Sequence, residues 1–380
     1  MAAGPRVLIA PDKFKGSLTA AAVAHHLGLG LRRAVPDLAV RVLPVADGGD
    51  GTVDAAVAAG FERLEVEVTG PVGTPVRAAF AVRGGTAVVE MAEASGLSRL
   101  PRGRLAPLEA GTRGTGELIA AALDAGARRI VLGVGGSAST DGGAGMLSAL
   151  GARLLDRAGR PLASGGGPLC DLATADLSGL DPRLATTEVV LASDVDNPLL
   201  GPTGAAAVYG PQKGADSGQV ARLEAALDHY ARVLADSVGP SAADAVSAPG
   251  AGAAGGIGYG ALVGLGATFR PGIELLLEVL GFAEALARAD LVITGEGSLD
   301  AQTLRGKAPV GVAGAARRWG VEVVAVCGRL ALEPEELLGA GFARTYALSA
   351  LEPDPARSMA EAGPLLERVG ERIARDFALR

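Results

Sequence analysis

The stretch "RVLIAPDKFKGSLTA", residues 6–20, decides how the rest of the chain is read. Its apolar run ends at Pro11, and Asp12, Lys13, Lys15, Gly16 and Ser17 follow within six residues. The next segment, 18–34, is rich in Ala and Leu and free of proline. It reads as a helix with Ser17 or Thr19 as N-cap. "VRVLPVA" (40–46) is then a strand, "DGGDG" (47–51) a loop and "TVDAAVAA" (52–59) a helix. Two β-loop-α units with continuously apolar strands point to a parallel sheet covered on both faces.

Beyond residue 60 the rhythm changes. "FERLEVEVTG" (61–70) alternates apolar and charged residues, and 76–82 and 86–92 follow after turn residues, as in an antiparallel meander. A helix near 114–125, a strand over 128–134 and three glycine-rich loops (133–145, 192–204 and 249–260) occupy the middle. The βα rhythm returns with a strand over 289–297, a helix 308–318, a strand 321–328, a helix near 333–339, a strand 344–349 and a long final helix. The two ends share one pattern. The expected architecture is α/β: a discontinuous, Rossmann-like three-layer domain of residues 1–65 and 285–380, with a second mixed α/β domain, 66–284, inserted. Loops at the carboxyl ends of parallel strands form the usual ligand crevice. That places the active site in an interdomain cleft, beside the loops after residues 10, 46 and 294.

Composition bounds the function classes. Of 380 residues, 49% are hydrophobic, as in a globular chain. The formal charge of 35 − 42 = −7 argues against broad nucleic-acid binding. Cys170 and Cys327 lie far apart, with no C-x-x-C spacing for a disulfide or thiolate metal site. The N-terminal stretch lacks a signal-peptide core, and no uninterrupted apolar run of membrane-spanning length occurs. The expectation is a cytoplasmic protein with neither nucleic-acid nor membrane partners.

Five charged, glycine-bearing segments carry the chemistry. In "PDKFKGS" (11–17), backbone N–H groups at a helix start and two lysines suit a phosphate or carboxylate. In "VADGGDGT" (45–52), Asp47 and Asp50 can hold Mg²⁺, or serve as turn and N-cap residues. "GGSASTDGGAG" (135–145) offers the amides of Gly135 and Gly136 together with Ser137, Ser139, Thr140 and Asp141, but is neither a Walker A loop nor a dinucleotide fingerprint. After the strand "EVVLA", Asp194 can accept a proton from a substrate hydroxyl, with Asp196 and Asn197 beside it and Gln212 and Lys213 in a second turn. "TGEGSLDAQTLRGKAP" (294–309) supplies Gly295, Glu296, Gly297, Asp300, Arg305 and Lys307. His25, His26 and His229 fall within helices, without the spacing of a triad or zinc site. Trp319 and Cys327 read as packing residues.

"APDKFKGSLTA", "PVADGGDGT", "GGSASTDGGAGML", "ASDVDNPLLGPTGAA", "GPQKGA", "GAGAAGGIGYG" and "TGEGSLDAQTLRGKAPVGVA", in that order, resemble the signature stretches of the bacterial class I glycerate kinases across essentially the whole chain. The resemblance implies two α/β domains and ATP-dependent phosphorylation of D-glycerate, with 2-phosphoglycerate favoured over 3-phosphoglycerate. Within the pattern, Lys13 stands where serine is usual, so Lys15 is the preferred catalytic lysine. Asp196 stands where a neutral residue is common, so Asp194 is the preferred base. Ser17, Gly135, Gly136, Ser137, Asp141, Asn197, Lys213, Gly295, Gly297 and Lys307 become candidates for holding substrate or phosphate. Asp47, Asp50, Glu296 and Asp300 become candidates for Mg²⁺, directly or through water. A kinase for another small hydroxy acid and a catalytically silent binding protein are the alternatives. Self-association as a homo-oligomer is compatible with all three.

Overall fold

The computed structural model describes residues 5–377, apart from the side chain of Arg305. The first four residues of the N-terminal reading and the last three of the chain lie outside these. Among the described residues thirteen strands are present: β1 (Arg6–Pro11), β2 (Ala39–Val42), β3 (Glu62–Thr69), β4 (Pro75–Arg83), β5 (Thr86–Glu90), β6 (Arg129–Gly133) and β7 (Arg153–Asp156) lead. β8 (Leu172–Asp176), β9 (Glu188–Ala192), β10 (Thr268–Arg270), β11 (Leu291–Leu299), β12 (Glu322–Leu330) and β13 (Arg344–Ala347) follow.

The chain divides into two units. The first takes the described residues up to Asp47, Asp54–Gly60 and those from Ile273 onward; the second takes Gly48–Val53 and Phe61–Gly272. The division therefore falls at 60/61 and 272/273 rather than at 65/66 and 284/285. β3 pairs along its whole length with β4, which commits it to the second unit. A Cβ on Gly311 would lie 2.4 Å from the Ile273 side chain, which seats Ile273 on the helix Ala308–Arg317 of the first. The short excursion Gly48–Val53 is held in the second unit by hydrogen bonds from Gly51 and Val53 N–H to the Glu90 carboxylate.

The first unit is a five-stranded parallel sheet in the order β13-β12-β11-β1-β2. Its middle strands carry buried apolar runs, Val7–Ala10 in β1 and Leu291–Ile293 in β11, as a sheet covered on both faces requires. β2 is shorter than the expected 40–46. The chain continues alongside β1 through Leu43 N–H to Ile9 O and Val45 N–H to Pro11 O, with Pro44 unable to donate between them. β11 runs two residues further than expected, to Leu299.

Helix Ala20–Ala34 starts at Thr19, whose Oγ1 accepts from Ala22 N–H at 3.2 Å. It packs on helix Ala362–Asp376. Leu27, Leu31, Leu366, Val369 and Ile373 are buried between helices and sheet, each contributing about 1.5–3 kcal/mol. His26 Nδ1 meets Glu367 Oε1 at 2.9 Å and Arg33 reaches Glu367 and Glu371, so His26 does structural work at this contact. The long final helix is two: Pro355–Ala360, capped by Asp354, and Ala362–Asp376. Trp319, expected to pack, is 54% exposed, whereas Cys327 is fully buried.

The second unit has a six-stranded mixed sheet, order β10-β9-β6-β5-β4-β3, in which only the pairs β3/β4 and β4/β5 are antiparallel. A separate hairpin-like pair, β7/β8, was not legible in the sequence. His229, on helix Ser217–Val238, meets Leu172 O at 2.7 Å and so ties that helix to β8. Among the described residues no helix is long and apolar enough to cross a membrane.

The helix–helix contact in the first unit makes a test. A Cβ on Gly30 would lie 2.0 Å from Glu367 O, a backbone atom that cannot swing aside. Gly30→Ala is expected to cost about 3 kcal/mol, the upper end of overpacking penalties. Gly314, also inside a helix, has nothing within 4 Å of its Cβ position. Gly314→Ala is expected to gain up to about 1 kcal/mol. Urea unfolding of both variants compares the two.

Candidate functional site

In the first unit, three segments meet at the carboxyl ends of β1 and β11. Pro11 pairs with Gly295, and Asp12 N–H donates to Gly295 O at 2.8 Å. Phe14, 3% exposed, anchors a turn closed by reciprocal backbone bonds with Leu18. The turn leaves Lys13 half-buried and Lys15 exposed. Ser17 Oγ donates to Met359 O at 2.7 Å, so its hydroxyl braces the turn against helix Pro355–Ala360.

Asp12 was not singled out from the sequence, yet it is a buried acid, 8% exposed. Its Oδ1 accepts Lys13 N–H at 2.6 Å, and Lys13 Nζ lies 4.0 Å away. Burial pushes its carboxyl up to about 7 against the Lys13 charge, and Asp47 and Glu296 add to the rise. Glu296, 7% exposed, accepts from Thr303 Oγ1 at 2.6 Å and lies 3.9 Å from Lys307 Nζ. Burial raises its carboxyl, with Thr303 and Lys307 opposing. Asp300 Oδ1 caps a local turn through Gln302 N–H. Thr303, fully buried, is a second residue that sequence reasoning missed.

Gly295 and Gly297, candidates for holding substrate or phosphate, are residues of β11, within the strand expected over 289–297. A Cβ at Gly295 would lie 2.0 Å from Val326 O, and one at Gly297 3.2 Å from Lys15 N. Their smallness lets neighbouring backbone close in.

In the second unit the loop after β6 is the counterpart. Gly135 N–H donates to Gly48 O at 3.0 Å, and a Cβ on Gly136 would strike the Asp50 carboxylate. Ser137 Oγ and Ser139 Oγ both donate to Ala254 O, at 3.1 and 3.3 Å. Lys213, 2% exposed, extends Nζ to Ser139 O at 2.6 Å and Ser137 Oγ at 3.2 Å. Burial pulls its ammonium down to about 7, with Asp141 opposing.

Asp141, 1% exposed, accepts from Thr112 N–H and Oγ1 and from Gly143 and Gly145 N–H. Four donors inside the protein engage this carboxylate, which makes it a brace of the loop. Asp194, half-buried at the end of β9, accepts Gly272 N–H on Oδ1 at 2.8 Å. Asp196 beside it is exposed. Asn197 is held between Thr203 O and Tyr209 Oη, and its amide therefore orders the loop after β9.

The arrangement offers buried acids paired with lysines in one unit, and in the other a hydroxyl- and amide-rich loop backed by a lysine. Both suit anionic substrates and charge neutralisation rather than nucleophilic attack by the protein. Among the described residues no three His, Cys, Asp or Glu side chains stand close enough to hold a metal ion between them.

Comparison with known proteins agrees with this chemistry. The profile of the Glycerate kinase family matches residues 7–378. Glycerate kinase of Bacillus subtilis is 46% identical over 376 residues, covering 98% of this chain and 97% of that one. Glycerate 2-kinase of Escherichia coli K12 is 46% identical over 329 residues, 86% of this chain and 85% of that one. A crystal structure described as a glycerate kinase 2 from Salmonella typhimurium LT2 superposes with TM-score 0.85 at 42% identity, covering 99% of both chains.

Two measurements follow from the geometry. Asp12→Asn removes a buried carboxyl whose value is raised above its unfolded one, so the benefit builds as pH rises from the unfolded value of about 3.9 and is complete above about 7. The variant is expected to be about 1–4 kcal/mol more stable than the parent at pH 8 and no more stable at pH 4, in paired urea titrations. Ala254 adopts a left-handed conformation at φ 55°, the one non-glycine residue among those described with positive φ. Ala254→Gly is expected to stabilise the fold by up to about 1 kcal/mol, the strain released less the entropy added, as a rise in Tm.

Proposed function

The chain belongs to the glycerate kinase family, and on that premise we propose that it transfers the γ-phosphoryl group of ATP to the 2-hydroxyl of D-glycerate. The observation that carries the reading is the pairing of buried acids with lysines where β1 and β11 end: Asp12 with Lys13, and Glu296 with Lys307. Phosphoryl transfer needs alignment and charge neutralisation more than covalent help from the protein. A site of that kind gathers cations and acids without a nucleophile. The 2-hydroxyl is favoured because one relative of 46% identity is named a glycerate 2-kinase.

In this reading Lys15 and the amides of the 135–143 loop neutralise the anionic groups of the substrates. Asp194, oriented by Gly272 N–H, receives the proton of the attacking hydroxyl. Lys307 holds Glu296 in place and adds positive charge beside it. Mg²⁺ dehydrates reluctantly and is commonly held by one or two carboxylates with substrate phosphates. Asp47 and Glu296 fit that use, since their mutual field already reaches Asp12. The bound ion would supply charge neutralisation at the phosphates. Asp50 and Asp300 are the remaining carboxylate candidates, Asp300 being occupied by its own turn.

Incubation with D-glycerate and Mg-ATP, followed by ³¹P and ¹H NMR of the product, is expected to show ADP and 2-phosphoglycerate. Accumulation of 3-phosphoglycerate would move the reaction to the other hydroxyl; no turnover of D-glycerate alongside turnover of another hydroxy acid would replace the substrate. Asp194→Asn is expected to lower kcat by about 10²–10⁴ with KM little changed. Near-normal turnover in that variant removes Asp194 from the base role.

A further inference from the structure

Four of the chain's 35 basic residues are lysines: Lys13, Lys15, Lys213 and Lys307. All four lie on the loops described above, while arginine supplies every other Lys/Arg cation. Three of them border solvent; Lys213 alone is enclosed, at 2% exposure. Its surroundings are unusual for a buried charge. No carboxylate oxygen among the described residues comes within 4.0 Å of Nζ, and Asp141, the charged group whose field reaches it, is engaged by four other donors. The two neutral acceptors, Ser139 O and Ser137 Oγ, engage two of the three N–H donors. Tyr230, which faces Asp141 from helix Ser217–Val238, stays protonated because burial raises its hydroxyl. Buried charges are normally paired, and an unpaired one shifts toward its neutral form.

We propose that Lys213 is the buried counter-charge of the Ser137–Ser139 loop, uncompensated until an anionic oxygen of a substrate binds there, so that anion binding and protonation of Lys213 are one linked event. The inference rests on the reading above that this loop receives an anion. The anion is a carboxylate or a phosphate oxygen; D-glycerate supplies the first and the nucleotide the second. Before binding, the amine is held near neutrality by burial, with a value of about 7. An anion arriving at the loop favours the ammonium, and the proton comes from solvent. Arginine cannot play this part, since it does not lose its proton in proteins.

The sign is definite. Below the free-state value the lysine is already charged and binding is independent of pH. Above it, binding takes up a proton, so affinity falls by up to about tenfold per pH unit until the bound-state value is reached. Between pH 7.5 and 9 both substrates keep a constant charge, so the effect belongs to the protein.

The test uses the full chain labelled with [¹³Cε]lysine, whose four resonances are few enough to assign. Lys13→Arg, Lys15→Arg and Lys307→Arg identify Lys213 by elimination, and Lys213→Arg identifies it directly where that variant folds. In the free protein one resonance, that of Lys213, is expected to titrate at least two pH units below the ordinary lysine value of about 10.4. Saturating D-glycerate or saturating ADP, added separately, is expected to raise that midpoint by more than one unit. The ligand that does so identifies which anion the loop takes. An ordinary midpoint in the free protein overturns the proposal, and so does a low midpoint that neither ligand moves. A chain that turns over no D-glycerate but shows a ligand-linked Lys213 would lose the proposed reaction and keep this linkage; the converse result would keep the reaction and lose the linkage.

Discussion

Backbone passes against backbone wherever the loops of the second unit are stacked, and one carbon atom would keep them apart. A Cβ on Gly135 would lie 2.4 Å from Gly49 Cα, and one on Gly255 would lie 2.0 Å from Ser139 O. Real Cβ atoms do not approach that closely, so the loops hold their positions only while these residues are glycine. The consequence is chemical. With Ser139 O pressed against Gly255, its carbonyl stands where Lys213 Nζ reaches it, and both serine hydroxyls turn to Ala254 O. The entropy that glycine costs in the unfolded chain is offset by the placement of charge that close stacking permits.

Much of this could be read from the sequence, and what could not has identifiable causes. The apolar runs Val7–Ala10 and Leu291–Thr294 announce buried parallel strands because nothing polar interrupts them. Glycine is ambiguous. Gly295 and Gly297 read as ligand-holding candidates in sequence, and in the structure the backbone of Val326, across the sheet, and of Lys15, in the turn after β1, closes in on them. That neighbour is invisible without the strand register. Asp12 escaped notice for a related reason: beside two lysines it reads as a solvated loop residue. Only the pairing of Pro11 with Gly295 carries it under cover and next to Glu296. Asp141 and Asn197 were legible as polar residues in the right loops. Their hydrogen bonds spend them on holding those loops, a distinction that spacing alone does not make. Trp319 shows the limit from the apolar side, since a large aromatic at a helix end is not obliged to be buried.

Electrostatics supplies what packing does not. The first unit buries Asp12 and Glu296 and the second buries Lys213, and in each case desolvation moves the group toward its neutral form. Asp12 rises to about 7 and Lys213 falls to about 7. Groups so placed carry only part of their possible charge near neutral pH. A chain selected only for stability would replace them with neutral residues of similar size. Their presence fits a protein that handles highly charged small molecules and draws part of its binding free energy from completing unfinished charge pairs.

Desolvation also separates lysine from arginine in this chain. Guanidinium keeps its charge under burial and its planar fork needs several acceptors at once, so it suits the exposed pairs Arg33–Glu367 and Arg153–Asp176. A compact ammonium can enter a space bounded by one carbonyl and one hydroxyl, and it can give up its proton when no anion is near. In a chain that writes almost all of its basic residues as arginine, Lys213 stands at a position where size and titration both matter. Composition therefore carries functional information here that charge counting misses, because what separates the two cations is how each behaves when water is removed.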